Sequence, residues 1–186
     1  MSAAATIPTT TTTWNLDPVH STAEFRVKHM MIANVRGRFT GITGKLTYDP
    51  SDVTKSGIEA TVDIATIDTH DPQRDTHLKS PDFFDAEKFP SMSFRSSKVT
   101  RHSNGSIAVS GPLTIHGVTK DVEFEIDGPT PPIKDPWGNT RIGVNATTKI
   151  DRREFGLNFN VALETGGVIV GEEVHIALEF EFVQAA

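Results

Sequence analysis

The sequence predicts an all-β fold, an antiparallel β-barrel of about eight strands with a short two-helix insertion. Three observations predict it: apolar and polar residues alternate in several segments, turn signals separate those segments, and glycines recur inside a long one. Alternation with a period of two gives a strand one apolar face and one solvated face. Short turns between successive strands join them in an antiparallel arrangement.

The alternation is clearest in the last segment of the chain. There the apolar residues occupy every second position and are separated mostly by polar ones: Val174, Ile176, Leu178, Phe180 and Phe182. The same pattern recurs earlier, in residues 25–27, 58–64 and 122–126. Each of these segments is predicted to be a strand with one buried and one exposed face.

Turn residues and glycines favour a barrel over a sandwich. Asn104-Gly105 is a strong two-residue hairpin signal, because both residues tolerate positive φ, and Gly138-Asn139 and Gly166-Gly167 are weaker ones. The segment Val35–Tyr48 is predicted to be one long strand. Its internal glycines let it bend sharply, as closure of a sheet requires. A closed sheet of about eight strands can fill itself with side chains or hold one small ligand.

The insertion is predicted from two capping signals. Asp71-Pro72 and Ser80-Pro81 each place a capping side chain directly before a proline, which fits the first position of a helix. The first helix is expected to end by Pro81, and the second, with Phe83 and Phe84, to stop before Pro90.

Length and charge limit the organisation and the partners. The chain of 186 residues is predicted to form one domain over residues 14–186, after a disordered tail of residues 1–13 that is rich in alanine and threonine. The net charge of −6 argues against nucleic-acid binding, which requires an excess of lysine and arginine. The oligomeric state stays open, since the pattern fits a monomer or a homodimer.

The N-terminal residues have neither the basic nor the apolar region of a secretory signal. As the sequence stands, a cytoplasmic location is expected, and a periplasmic one if a leader has been removed. No run of about 18 apolar residues occurs, so a transmembrane helix is not expected.

Catalytic and metal-binding patterns are weak, and no cofactor is expected. The chain has seven histidines, but no pair at helical metal-ligand spacing, and it has no cysteine. A mixed metal site from His70, Asp71, Asp75 and His77 is a minor alternative. Asp17, His20 and Ser21 resemble a triad in composition only, because adjacent residues on a strand point to opposite faces.

Phenylalanine is the more informative residue type. The chain has 11 phenylalanines against two tryptophans and one tyrosine, and several of them fall on strand patterns. A packed aromatic core explains any single one of them equally well. Phe83 and Phe84, however, are adjacent in a short insertion and cannot easily face the same core. This pair favours an apolar ligand.

Four stretches resemble the YceI-like family of lipid- or polyisoprenoid-binding proteins, in order along nearly the whole chain. They are Trp14–Ser21 with Phe25–His29; Val35–Phe39; Arg74–Asp85 with Phe89-Pro90; and Gly111–Thr119. Asp151-Arg152 and Phe155-Gly156-Leu157 follow in the expected place. The resemblance implies a lipocalin-like barrel whose interior holds a polyisoprenoid, an isoprenoid quinone or a related long-chain lipid, as carrier, store or sensor, and it supplies no catalytic residues.

Two sets of candidate residues follow from the resemblance and the patterns together. The candidate ligand-binding residues are Phe25, Val27, His29, Phe39, His77, Phe83, Phe84, Phe94, Phe124, Phe155, Leu157 and Phe180. The candidate head-group residues are Arg74, His77 and Lys79, although a helix-surface ion pair between Asp75 and Lys79 is an alternative. Two other functions stay open: an enzyme that acts on an isoprenoid-like compound, and a ligand-free, stress-related interaction module.

Overall fold

The computed structural model describes residues 11–164 and 166–185. Within these residues the chain forms strands, one α-helix and three short 3-10 helices. The strands are β1 (Thr12–Leu16), β2 (Thr22–His29), β3 (Ala33–Phe39), β4 (Ile42–Tyr48), β5 (Gly57–Asp63), β6 (Ile67–Asp68), β7 (Ser91–Arg95), β8 (Lys98–Arg101), β9 (Ile107–Ile115), β10 (Val118–Asp127), β11 (Ile133–Lys134), β12 (Thr140–Asp151) and β13 (Val170–Gln184). The helices are α1 (Pro72–Lys79) and the 3-10 helices Val53–Lys55, Ile64–Thr66 and Arg152–Phe155.

Eight of these strands close into an antiparallel barrel, which confirms the predicted fold class. The ring runs β1, β4, β5, β7, β9, β10, β12 and β13, and β13 returns to β1. The remaining long strands extend the wall: β2 pairs with β13 and β3, and β3 pairs with β6. β1 and β2 thus occupy successive lengths of the same edge of β13.

The longest strand, β13, organises the ring. One edge pairs with β12 from Glu173 to Val183. The other edge pairs first with β2 and then, at Phe182–Gln184, with β1. The alternation predicted for this segment holds, because Phe180 and Phe182 are buried while Ala177 and Glu179, at the alternate positions, are exposed.

A dense apolar cluster fills one end of the barrel. It contains Trp14, Leu16, Ile42, Leu46, Ile142 and Phe182. Trp14 is buried on one edge of the ring and its indole Nε1–H donates to Thr12 Oγ1 over 2.8 Å. These residues are at most 9% exposed, and we call this end of the barrel the sealed end.

The insertion between β6 and β7 contains one helix and not two. α1 begins as predicted, with Asp71 accepting hydrogen bonds from the Gln73 and Arg74 amides. The predicted second helix is wrong: residues 81–84 form consecutive turns, and the Asp85 backbone has a φ of +47°. The Phe84 amide donates back to the Leu78 carbonyl, so the chain folds onto α1 and does not continue as a new helix.

Three other boundaries differ from the prediction. The segment Val35–Tyr48 is two strands, broken at a corner where the Gly41 amide donates to Thr66 Oγ1. The Asn104-Gly105 hairpin forms, but with a five-residue loop in which only the glycine has a positive φ. The predicted tail 1–13 ends earlier, because Thr12 and Thr13 belong to β1, and its residues 1–10 lie outside the described residues.

Candidate functional site

A cavity of about 410 Å³ lies inside the barrel. This volume falls within the range of about 300–1,000 Å³ that is usual for small-molecule sites. Inward-facing residues from most strands form its wall, together with α1 and the segment after β12. Phenylalanine dominates the wall: Phe25, Phe39, Phe83, Phe84, Phe94, Phe124, Phe159 and Phe180. The partly exposed wall residues His29, His77, Phe159 and Ile169 mark the mouth.

The adjacent residues Phe83 and Phe84 pack in two different parts of the cavity wall. The Phe84 ring packs edge-on against Phe39, with 5.9 Å between centroids. The Phe83 ring lies 5.0 Å from Phe159 and 5.1 Å from the His77 imidazole. The turns that replace the predicted second helix allow this divergence, so the pair spans the cavity from the buried core to the mouth.

The structure brings together eleven of the twelve predicted ligand-binding residues. All of them except Phe155 line the cavity. Phe155 is fully buried and packs behind the wall in the core cluster with Ile150 and Leu157. It belongs to a 3-10 helix, where the alternation of a strand no longer applies, and it does not line the cavity.

The structure does not bring the three predicted head-group residues together on the cavity wall. Arg74 lines the wall, but its guanidinium already donates to Thr69 through Nε–Oγ1 (2.8 Å) and Nη2–O (2.8 Å). His77 also lines the wall, and its Nε2 lies 2.8 Å from Asp82 Oδ2. Lys79, near the C-terminal end of α1, does not line the cavity.

The alternative for the helix surface is not observed either. Asp75 Oδ1 accepts hydrogen bonds from the Thr69 amide and hydroxyl at 2.9 Å and 2.5 Å. Its carboxylate therefore ties the helix to the preceding loop and does not pair with Lys79.

Arg152 is a wall residue that the sequence analysis missed. It is 4% exposed, and its guanidinium donates to three backbone carbonyls: Gly171 (2.8 Å), Val170 (3.2 Å) and Leu157. No carboxylate lies within ion-pairing distance of it in residues 11–164 and 166–185. Burial lowers the pKa of this guanidinium from its ordinary value, although arginine stays protonated in proteins.

Strand alternation gives no firm signal for Arg152, because β12 ends at Asp151 and Arg152 begins the 3-10 helix that contains Phe155. Ile142, Ala146 and Ile150 are buried on β12, and Arg152 follows Ile150 by two residues. A charged residue at an inward position is unusual, since burial of an unpaired charge is costly. Arg152 is thus the one strongly polar group that the wall holds at nearly complete burial.

A polar cluster at the sealed end contains the three residues that resemble a triad in composition, Asp17, His20 and Ser21. His20 Nδ1 lies 3.0 Å from Asp17 Oδ2, but the Ser21 hydroxyl donates to the Glu181 carbonyl and does not face the imidazole. Asp17, His20 and Glu181 lie close enough together to hold a cation. Arg141 occupies that position, because its Nη1 lies 2.7 Å from Asp17 Oδ2 and 2.5 Å from Glu181 Oε1.

The electrostatics of this cluster are those of an ion-pair network. Hydrogen bonds from His20 and Arg141 hold the pKa of Asp17 well below its ordinary value. Burial alone would raise the pKa of Asp135, but hydrogen bonds from Asn139 and Arg141 outweigh it and lower the pKa to about 2. The cluster fastens β1, β11, β12 and β13 together at the sealed end.

In the part of the chain that the structure describes, no helix is long and apolar enough to cross a membrane.

Comparison with known proteins agrees with this architecture. A UPF0312 protein of Staphylococcus epidermidis is 37% identical over 174 residues, which cover 92% of this chain and 97% of the relative. The structure of a Campylobacter jejuni YCEI protein superposes with a TM-score of 0.72 at 29% identity, covering 86% of this chain and 90% of that one. A polyisoprenoid binding domain from Saccharophagus degradans, implicated in plant cell wall breakdown, shares the fold with a TM-score of 0.65 at 13% identity, over 92% and 98% of the two chains. The profile of the YceI-like domain matches residues 14–182. The chain belongs to the YceI-like family.

Proposed function

We propose that the protein binds a long-chain apolar or amphiphilic ligand, such as a polyisoprenoid, an isoprenoid quinone or a related lipid, inside the barrel. One observation carries the proposal: the inward side chains leave a cavity of about 410 Å³ unfilled, and phenylalanines line it. The fold shared with a polyisoprenoid binding domain supports the same ligand class. The role is that of a carrier, store or sensor.

Burial of the ligand's hydrocarbon chain supplies ample binding energy. Each CH₂ group contributes roughly 0.8 kcal/mol, so one isoprene unit of five carbons contributes about 4 kcal/mol before costs. A few isoprene units would reach the practical affinity limit of about 20 kcal/mol. The entropy lost when the flexible ligand is ordered offsets part of this binding free energy. The apolar wall alone is therefore sufficient for tight binding.

Polar groups near the mouth would orient the head group. Arg74 and His77 lie on the α1 side of the wall, and Arg152 lies on the side of β13. Three carbonyls accept from Arg152, so two of its five N–H groups remain for a ligand oxygen. This arrangement suits a phosphate or a quinone carbonyl better than a cationic head group.

We propose binding in preference to catalysis because of the side chains that line the cavity. Glu24 is the one acidic residue among the described wall residues. It precedes the inward-facing Phe25 on the same strand, so its side chain points to the outer face of the sheet. A reaction would need converging titratable groups inside the cavity. A binding protein returns its ligand chemically unchanged, which distinguishes it from the enzyme alternative.

The test is solvent extraction of the protein purified from its native host, followed by mass spectrometry. The proposal predicts a stoichiometric long-chain isoprenoid, quinone or related lipid. Protein from which the lipid has been removed should take up farnesol, geranylgeraniol or a long-chain ubiquinone and release each of them with unchanged mass. An empty extract with no uptake would overturn the proposal in favour of a ligand-free barrel. A changed mass would favour an enzyme.

A further inference from the structure

The hairpin between β2 and β3 ends in an exposed apolar tip that nothing in the fold requires. Met30, Met31 and Ile32, which we call the apolar tip, are 40%, 57% and 80% exposed. The Ile32 amide donates to the His29 carbonyl and closes the turn. Hairpin tips in water are usually polar, so the composition of this one needs a reason.

The tip is also held in an unfavourable backbone conformation. Met30 and Met31 have φ values of +50° and +62°. Positive φ at both central residues is the pattern of a type I′ turn, for which Asn-Gly is strongly preferred and methionine is not. At the β9–β10 hairpin of the same chain, such a turn is formed by His116-Gly117, which includes the usual glycine. The two methionines are thus unfavourable both for the turn and for contact with water.

The apolar tip adjoins the mouth of the cavity. The Met30 amide donates to the carbonyl of Ile169, a wall residue, over 2.7 Å. The Ile169 amide in turn donates to the carbonyl of Val161, which is 47% exposed. The exposed residues Met30 and Val161 are therefore backbone neighbours of Ile169, which lines the cavity.

The hairpin behind the tip is cationic in an acidic protein. The hairpin from Thr22 to Phe39 includes four lysine or arginine residues and one carboxylate, Glu24, although the whole chain has a net charge of −6. Arg26 and Arg36 lie directly opposite each other across the two strands, a like-charge pair that disfavours pairing. Lys28 and Arg36 form no ion pair with any described residue. An apolar tip followed by basic residues is the composition that anionic lipid surfaces attract.

We infer that the apolar tip docks the mouth of the barrel onto an anionic lipid bilayer, so that the ligand passes between bilayer and cavity without crossing water. The inference rests on the proposed function, since it gives the lipid ligand its route. Passage through water would expose the hydrocarbon chain of the ligand at a cost of roughly 0.8 kcal/mol per CH₂ group. Direct contact between the bilayer and the mouth of the barrel avoids this cost. The bilayer is favoured as the occupant because the apolar tip adjoins the mouth and the unpaired Lys28 and Arg36 lie on the two strands behind the tip.

The test uses flotation of the purified protein with vesicles of phosphatidylcholine alone, or of phosphatidylcholine mixed with phosphatidylglycerol. The wild-type protein should float with the mixed vesicles and much less with the neutral ones. The double variant M30N/M31G should float about tenfold less or worse, and its turn should be at least as stable, because Asn-Gly suits the conformation. Arg36→Gln should reduce the preference for anionic vesicles.

A matched control lies at the opposite end of the barrel. Ile133 and Trp137 are 65% and 82% exposed, and the variant I133T/W137S removes a comparable apolar area far from the mouth. This variant should float as the wild type does. Loss of flotation in this variant and not in M30N/M31G would overturn the inference. So would a tip-dependent dimer, seen by light scattering, that does not float.

Transfer kinetics separate this inference from the proposed function. The rate at which a fluorescent isoprenoid moves from vesicles to protein should fall about tenfold in M30N/M31G, while the amount bound at equilibrium stays the same. Protein that holds lipid but neither floats nor depends on the tip would overturn only the docking. Protein that floats but holds no lipid would overturn the proposed function.

Discussion

Phe25 in β2 lies directly opposite Gly37 in β3, and a Cβ atom on residue 37 would lie 2.4 Å from Phe25 Cζ. The phenyl ring therefore covers the backbone of the neighbouring strand, a cross-strand arrangement in which an aromatic ring shields a glycine. The ring centroid lies 5.8 Å from that of Phe39. The absence of a side chain at position 37 keeps Phe25 against the wall and leaves the cavity open beside it.

Gly37→Ala is expected to push the Phe25 ring into the cavity. We expect a loss of about 1–3 kcal/mol in the free energy of unfolding, as for other overpacked cores, and weaker uptake of a fluorescent isoprenoid. Urea denaturation and ligand titration measure the two effects. Gly143→Ala is the matched control, because its Cβ would lie 3.5 Å from Thr130 Cγ2, an ordinary contact. Equal behaviour of the two variants would contradict the role of Gly37.

Ala60→Phe is expected to block the cavity. Ala60 lines the wall on β5 opposite Phe94, whereas the next residue, Thr61, is exposed on the outer face. A phenyl group at position 60 should lower the affinity for an isoprenoid at least tenfold, or ~1.4 kcal/mol. Thr61→Phe adds the same ring to the outside and should leave the affinity unchanged. If both variants bound as the wild type does, the ligand would lie outside this cavity.

Arg152→Met is expected to destabilise the protein by about 3 kcal/mol or more. The Gly171 and Leu157 carbonyls would lose the Arg152 donor, whereas the Val170 carbonyl keeps a hydrogen bond from Asn160 Nδ2. Each unsatisfied polar group costs about 1–3 kcal/mol, which water reaching the site partly offsets. Urea denaturation measures the change. Arg153→Met, at the neighbouring exposed position, should produce no comparable effect. Arg152→Lys, which keeps the charge, should retain more affinity for a phosphate-bearing isoprenoid than Arg152→Met does.

The ion-pair network at the sealed end should make stability depend on acid pH. Asp17 has a folded-state pKa below its unfolded value, so in the acid range the unfolded state binds more protons. The contribution of this carboxylate is fully present above about pH 4 and is lost as the pH falls through the folded pKa. Asp135, with a pKa of about 2, acts in the same direction. Thermal unfolding between pH 7 and pH 2 should show a steeper loss for the wild type than for Asp17→Asn, and parallel curves would contradict the prediction.

The barrel and most of its wall could be predicted because strand parity is a local property. Phe25 and Phe94 both occupy strand positions whose side chains face inward, so closure of the sheet places them in the same interior. Phe155 and Lys79 could not be placed in this way, because one lies in a 3-10 helix and the other in a helix whose rotation depends on its packing. In both cases the side-chain direction is decided by contacts distant in sequence.

Two other features were beyond local prediction for different physical reasons. The Ser80-Pro81 signal is a good helix start, but Phe83 and Phe84 pack against different parts of the core, which a continuous helix would not permit. The turn at Met30-Met31 has residues that disfavour positive φ, so propensity alone argues against it. Arg152 begins the 3-10 helix after β12, so strand alternation does not predict its burial either.

The pairing of β13 also has a consequence for the order of events during synthesis. This strand is the last of the described strands to leave the ribosome, yet it is the partner of β1, β2 and β12. Until it emerges, the earlier strands can form only an open sheet whose apolar face is exposed to solvent. Such long-range pairing is slow to form. The closed container therefore comes into existence only after translation of β13, and a lipid can be enclosed only from that moment.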